Sequence, residues 1–295
     1  YYYTLFLVKN QPFVVTEPKI LKFLAGRAIT GIEVVNNDEY LRTVKLQNAE
    51  GQQFCGWVRV GHRPAENTLS VTVSESLLPV LPEVLARIKN LFDLYCEPKA
   101  VYETLQVMNT LQPGLCVLGT RLPGCFNVFE MSVRAVLGQQ ITVKAASTLA
   151  ARLVAVYGTQ VQTGIEGLTH SFPAPAAILA LGENISEHLG KLGIISARAN
   201  TIYQLARVLA DEKNDFGFCG NPEEEMQKLQ AIRGIGSWTA QYIAMRAMGW
   251  PDAFLPTDAG IKKALPDHTP KELQVLSEAW RPWRSYATVN LWNTL

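Results

Sequence analysis

The stretch from Gln230 to Asp258 constrains this chain more than any other. A helical approach segment ends at Ile232-Arg233-Gly234-Ile235-Gly236, a second helix starts at once, and a Pro-bracketed loop then delivers one carboxylate, Asp258. A turn of this form leaves several backbone N–H groups at a helix N-terminus without intrahelical partners. Its glycines let an anion come close to the backbone, so amides of Gly234, Gly236 and Ser237 can hold a phosphate without side-chain charge. The residues alone leave two readings open, an anion-binding device or an ordinary helical hairpin. Asp258 is equally open: Asp just before a helix is commonly its N-cap, and it is also a candidate reactive carboxylate.

Totals narrow the class. With 295 residues and 48% hydrophobic composition the chain can bury a large core, and two or three packed domains are expected. Basic and acidic residues number 27 and 26, so no global field draws the protein to nucleic acid, and any such binding must rest on a local patch or on backbone amides. Cys55, Cys96, Cys116, Cys125 and Cys219 form no Cys-x-x-Cys pair, which argues against structural zinc, an iron-sulfur cluster or a disulfide framework, and they read as mostly buried free thiols. His62, His170, His188 and His268 share no ligand spacing. A long apolar run and a signal-peptide pattern are both missing, so a cytoplasmic protein with no membrane role is expected. The first residue is Tyr1 rather than Met, and the chain is expected to begin inside a longer product.

Taken in order, alternation at Tyr40 to Leu46, Phe54 to Val60 and Leu69 to Val73 predicts an antiparallel sheet with one covered face, preceded by a helix over Pro18 to Ile29. From Pro82 the period becomes helical. Pro82 to Leu94, Pro98 to Met108, Phe126 to Leu137, Lys144 to Tyr157, Pro175 to Leu181, Ser186 to Leu192 and Ser196 to Leu209 read as helices. Asn221-Pro222-Glu223-Glu224 and Thr269-Pro270-Lys271-Glu272 carry helix-start grammar: a capping residue, Pro in the first position and Glu three residues after the cap.

Ile232 to Gly236, Trp238-Thr239-Ala240-Gln241-Tyr242 and Leu255-Pro256-Thr257-Asp258 resemble the hairpin and catalytic aspartate of the helix-hairpin-helix DNA glycosylase superfamily. Trp238 and the closing run Trp280-Arg281-Pro282-Trp283-Arg284-Ser285-Tyr286-Ala287 narrow the resemblance to its AlkA-type alkylpurine branch. Phe23 to Ala28, Arg121 to Gly124 and Val133 to Gln140 agree with it, so nearly the whole chain is covered. The resemblance implies an α+β fold: an N-terminal antiparallel sheet domain followed by a two-lobed all-helical core. It divides the chain into 1–98, a helical domain over 128–254 that contains the hairpin, and a second helical domain made of 99–127 plus 255–295.

The same resemblance implies a monofunctional DNA glycosylase that flips alkylated, cationic purines such as 3-methyladenine out of double-stranded DNA and hydrolyses the N-glycosidic bond in base excision repair. Asp258 would be catalytic. Trp238, Tyr242, Trp292, Phe23 and Arg27 would form the base pocket, although the aromatic side chains fit core packing equally well. Gly234, Gly236, Ser237 and Thr239 would meet the DNA backbone, and Gln140 would be the wedge that fills the gap left by the flipped base. No cofactor is expected beyond a Na+ or K+ ion at the carbonyls of Gln230, Ile232 and Gly234, and the protein is expected to be a monomer. The chain departs from the family pattern at Gln140, where an apolar wedge is usual, at Ala259 and Gly260, where larger side chains are usual, and at Asn293; a roomier pocket is the expectation drawn from these. An oxidised-base glycosylase with lyase action would need a Lys where Trp238 stands. A non-catalytic helix-hairpin-helix DNA-binding or damage-recognition module is the alternative from another class.

Overall fold

In the computed structural model, residues 2–8, 17–36, 38–63, 68–210 and 221–295 are described, and Cys219 lies outside them. The N-terminal part is an antiparallel sheet of β1 (Tyr2–Val8), β2 (Glu33–Asn36), β3 (Glu39–Gln47), β4 (Gln53–Arg63) and β5 (Thr68–Ser74), in spatial order β1-β5-β4-β3-β2. The expected strands are its central three. Helix α1 (Glu17–Ala25) precedes β2 and ends at Ala25 rather than Ile29, because the chain tightens after Gly26 into turns such as Arg27 N–H to the Leu24 carbonyl.

The expectation of one covered face is wrong for β3. Leu41, Arg42, Thr43 and Val44, which alternate across the pleat, are all buried. Tyr40 and Val44 pack with Ile20 and Leu24 of α1 and with Val84 and Ile88 of α2 (Leu81–Leu91). Thr43 Oγ1 instead donates to the His170 carbonyl at 2.7 Å, so the helical body covers what alternation alone would leave to water.

That body follows as α3 (Pro98–Leu105), α4 (Val128–Leu137) and α5 (Val143–Tyr157), then the small ribbon β6 (Thr159–Gln160) and β7 (His170–Ser171). After it come α6 (Pro175–Leu179), α7 (Ile185–Gly190), α8 (Ser196–Leu209), α9 (Pro222–Gln230) and α10 (Ser237–Arg246). The chain closes with α11 (Ala259–Ala264), α12 (Pro270–Leu276) and α13 (Arg284–Trp292). Helices α9 and α12 start at the caps the sequence marks. Thr269 and Glu272 form a reciprocal capping box on α12, whereas Asn221 caps α9 through the Glu223 N–H. Among the described residues, no helix is long and apolar enough to cross a membrane.

Apolar cores lie under the sheet, inside α4 to α10, and between residues 96–122 and 245–291. A buried ion network joins the first two. Arg42 of β3 donates to Glu130 of α4 at 2.7 Å, and Arg134 one turn later reaches Glu130 at 3.1 Å and Glu33 of β2 at 2.9 Å. Tyr40 Oη and the Ile29 N–H complete the Glu33 carboxylate at 2.6 and 3.0 Å. Two guanidiniums against two carboxylates leave the network neutral, which lets it sit in a low-dielectric interior. Burial would raise the Glu33 pKa, but Arg134 and Arg42 outweigh it and hold the group below its ordinary 4.5.

Glu130→Gln leaves two buried guanidiniums sharing one carboxylate and is expected to destabilise the fold by about 3–5 kcal/mol in urea unfolding. Because the folded pKa of Glu33 is depressed, its contribution is fully present above about pH 4.5 and is lost as pH falls through the folded value. Glu33→Gln should therefore flatten the acid limb of a stability-versus-pH curve.

Candidate active site

Helices α9 and α10 form a hairpin whose turn is pinned from inside by Ile232 and Ile235, both buried. Gly234 adopts φ +95°, in the left-handed region that favours glycine, and an added Cβ there would lie 2.0 Å from Thr201 Oγ1. Gly236 differs: a Cβ there would meet nothing within 4 Å, so its value is the open approach it leaves in front of α10. Helix α10 starts at Gly236 without a side-chain cap, leaving its first amides free of intrahelical partners. Gly234, Gly236 and Ser237 face solvent. Thr239 does not. It is 3% exposed and its hydroxyl accepts from Gln139 Nε2 at 2.9 Å, so the side chain grouped with the backbone-binding residues is instead a strut inside the hairpin.

The N-cap reading of Asp258 holds, and the same carboxylate has partners beyond the cap. It caps α11, with Oδ1 accepting from the Gly260 and Ile261 N–H groups at 2.9 and 3.1 Å. It is also bracketed by two indoles, as Trp292 Nε1 donates to Oδ1 at 2.8 Å and Trp238 Nε1 to Oδ2 at 3.2 Å. Four donors from α10, α11 and α13 thus fix the carboxylate. Oδ2 has one of them and keeps a lone pair for another partner.

The predicted aromatic residues converge around this carboxylate. Trp238 and Tyr242, one helical turn apart on α10, stack with centroids 5.2 Å apart and planes 10° from parallel. Tyr242 lies 6.3 Å from Trp292, which stacks on Phe23 at 6.1 Å. Phe23 is buried, with the Arg27 guanidinium 3.7 Å and the Arg246 guanidinium 4.7 Å from its ring centre, so it is a wall behind Trp292 rather than an open platform. Gly260 does not enlarge the pocket as expected, because the space a side chain would take there holds the edge of Trp292.

Sequence reasoning named Arg27 but missed Arg246. Arg246 donates to Tyr242 Oη at 2.8 Å and to the carbonyls of Pro123 and Gly124. The hint was its place four residues after Tyr242 on one helix face. Burial would raise the Tyr242 pKa, but Arg246, Arg27 and Arg134 hold it below its ordinary value. Burial lowers that of Arg27, with Arg246 and Arg134 adding to the effect against Tyr242. Gln139 was also missed. Its side-chain amide donates to the Gly234 carbonyl and to Thr239, each at 2.9 Å, while Arg198 donates to its backbone carbonyl. Gln140, next to it, is exposed with φ +55°, a left-handed conformation uncommon for a side-chain-bearing residue. A groove of about 760 Å³ opens between the sheet and the helical body, but none of the predicted site residues lines it.

Gly234→Ala is expected to destabilise the protein by about 2–4 kcal/mol, from left-handed strain plus overlap with Thr201. In a Thr201→Gly background the loss should shrink to about 1 kcal/mol, the strain alone. Equal losses in both backgrounds, measured by urea unfolding, would contradict this account of the turn.

The family model of the AlkA N-terminal domain matches residues 4–127, and that of the HhH-GPD superfamily base excision DNA repair protein matches residues 133–284. DNA-3-methyladenine glycosylase 2 of Escherichia coli (strain K12) is 36% identical over 275 residues, covering 93% of this chain and 92% of that protein. The structure of a 3-methyladenine DNA-glycosylase from Archaeoglobus fulgidus superposes with a TM-score of 0.78 at 21% identity, covering 98% of this chain and 97% of that one. The Clostridium acetobutylicum 8-oxoguanine glycosylase/lyase in complex with double-stranded DNA superposes at 0.62 with 16% identity, over 90% and 97% of the two chains. At those identities the two structures speak to the fold alone. Family matches over both parts of the chain and a full-length relative lead to one conclusion: the chain belongs to the HhH-GPD superfamily of base excision DNA repair proteins and is one of its AlkA-type DNA glycosylases, enzymes that hydrolyse N-glycosyl bonds.

Proposed function

We propose that this glycosylase flips alkylated, cationic purines such as 3-methyladenine out of double-stranded DNA and releases them by hydrolysis without lyase action. The observation that carries the reading is the Asp258 carboxylate, fixed by the Trp238 and Trp292 indoles among stacked aromatic rings beside the hairpin. A base that already bears positive charge is a good leaving group and needs little general acid help. What develops is an oxocarbenium-like sugar, and a preoriented carboxylate stabilises it electrostatically. Asp258 Oδ2, with its remaining lone pair, is the atom for that task or for orienting the attacking water.

The flipped base would lie against Trp238, Tyr242 and Trp292, where an electron-rich ring attracts a cation by roughly 0.5–2 kcal/mol. Phe23 backs this wall and Arg27 gives it a basic side. The amides of Gly234, Gly236 and Ser237 would hold the DNA backbone, and Gln140, exposed at its loop tip, would enter the gap left in the stack. The carbonyls of Gln230, Ile232 and Gly234 suit a Na+ or K+ ion. Those of Ile232 and Gly234 each accept one hydrogen bond, which leaves a lone pair for a cation that would brace the turn. The three apolar cores support dividing the chain at 1–98, 128–254 and 99–127 plus 255–295. The protein is proposed to act as a cytoplasmic monomer, a setting that suits the free thiols of Cys55, Cys116 and Cys125.

Incubation with duplexes carrying 3-methyladenine, 7-methylguanine, hypoxanthine or 8-oxoguanine should release the methylated purines; release of none would favour the non-catalytic DNA-binding module. Asp258→Asn is expected to slow release by at least about 100-fold while abasic-site DNA still binds. Borohydride should trap no covalent protein–DNA complex, because Trp238 stands where a Schiff base would need Lys.

A further inference from the structure

The absence of a side chain at residue 260 has a direct geometric role. A Cβ added to Gly260 would lie 2.7 Å from Trp292 Cδ1, 3.0 Å from Trp292 Nε1 and 3.0 Å from Asp258 Oδ1. The last two are the donor and acceptor of the indole–carboxylate hydrogen bond itself, made at 2.8 Å. The ring has little freedom to give way, since Phe23 stacks on it at 6.1 Å and Tyr242 lies 6.3 Å away. Any side chain at 260 therefore pushes the indole off Oδ1 or turns the carboxylate out of its cap. Trp238 holds Oδ2 from the other side at 3.2 Å, so loss of the Trp292 bond would leave one indole and the two cap amides to orient the carboxylate.

We propose that Gly260 is a positioning residue: by leaving its Cβ space to Trp292, it closes an indole clamp on Asp258 before substrate arrives. The inference rests on the catalytic reading of Asp258. It assigns to Gly260 a contribution to the chemical step that acts wholly through Trp292, with no contact to DNA of its own.

The test is a mutant cycle in the full chain with a 7-methylguanine duplex, read as single-turnover base release and as affinity for abasic-site DNA. Gly260→Ala and Trp292→Phe should each slow release by about 10- to 100-fold, the scale of one hydrogen bond to a charged group. The double variant should be no slower than Trp292→Phe, and Gly260→Ala should bind abasic-site DNA as the parent does. A parental rate in Gly260→Ala, or losses that multiply in the double variant, would overturn the proposal. Asp258→Asn separates the two levels: if it keeps its rate, the catalytic reading of Asp258 falls and this inference falls with it. If it is inactive while Gly260→Ala is not, only the role of Gly260 falls. A second readout does not depend on Gly260→Ala folding. The Trp292 indole N–H proton resonance, assigned by its loss in Trp292→Phe, should move upfield in Asp258→Asn, and an unmoved resonance would overturn the clamp.

Discussion

The rest of the molecule depends on how four buried charges register the N-terminal layer on the helical body. Glu33 and Arg42 belong to the sheet, Glu130 and Arg134 to one face of α4, and each pairs with an opposite charge from the other layer. Arg134 also donates to the Arg27 carbonyl, just after α1. That bond places Phe23 and Arg27, which come from the opposite end of the chain from Asp258, against Trp292 and Tyr242. A hydrophobic seam between sheet and helices could slide by an ångström at small cost, whereas a buried ion pair held in this way cannot.

The site is built from a hairpin, a cap and a wall, each using backbone or aromatic chemistry in place of net charge. This reconciles a nearly balanced composition with a DNA-acting enzyme. The positive charge near the pocket is local: Arg27 and Arg246 lie against Phe23, and Arg246 is held by two backbone carbonyls and the Tyr242 hydroxyl. With Phe23 covered in this way, the part of the aromatic wall left open belongs to Trp238, Tyr242 and Trp292, all half-buried.

Much of this was legible in the residues. The central strands alternate, α8 has the expected bounds, and capping residues and the paired glycines announce themselves through local chemistry. Strands β1 and β2 were missed because Tyr2–Val8 is almost continuously apolar and Glu33–Asn36 has only four residues, too few to set a period. The burial of both sides of β3, the clasp of Arg134 on Glu33 and the strut role of Thr239 are long-range facts, since each partner lies far away in sequence and nothing local to either one encodes the other. Asp258 lay between these cases. A residue-level reading had to choose between cap and reactive group, while the structure gives one oxygen largely to the cap and leaves the other available.

Gln139 carries a last consequence. One amide group bridges the loop that ends in Gln140 and the hairpin turn at Gly234 and Thr239. The loop that carries Gln140 and the hairpin turn, the two surfaces proposed to meet DNA, are therefore tied to each other directly. On the proposed reading, a duplex that meets both would conform to their spacing, so that the work of distortion falls on the nucleic acid and a site whose stacking is already weakened by damage yields to it first.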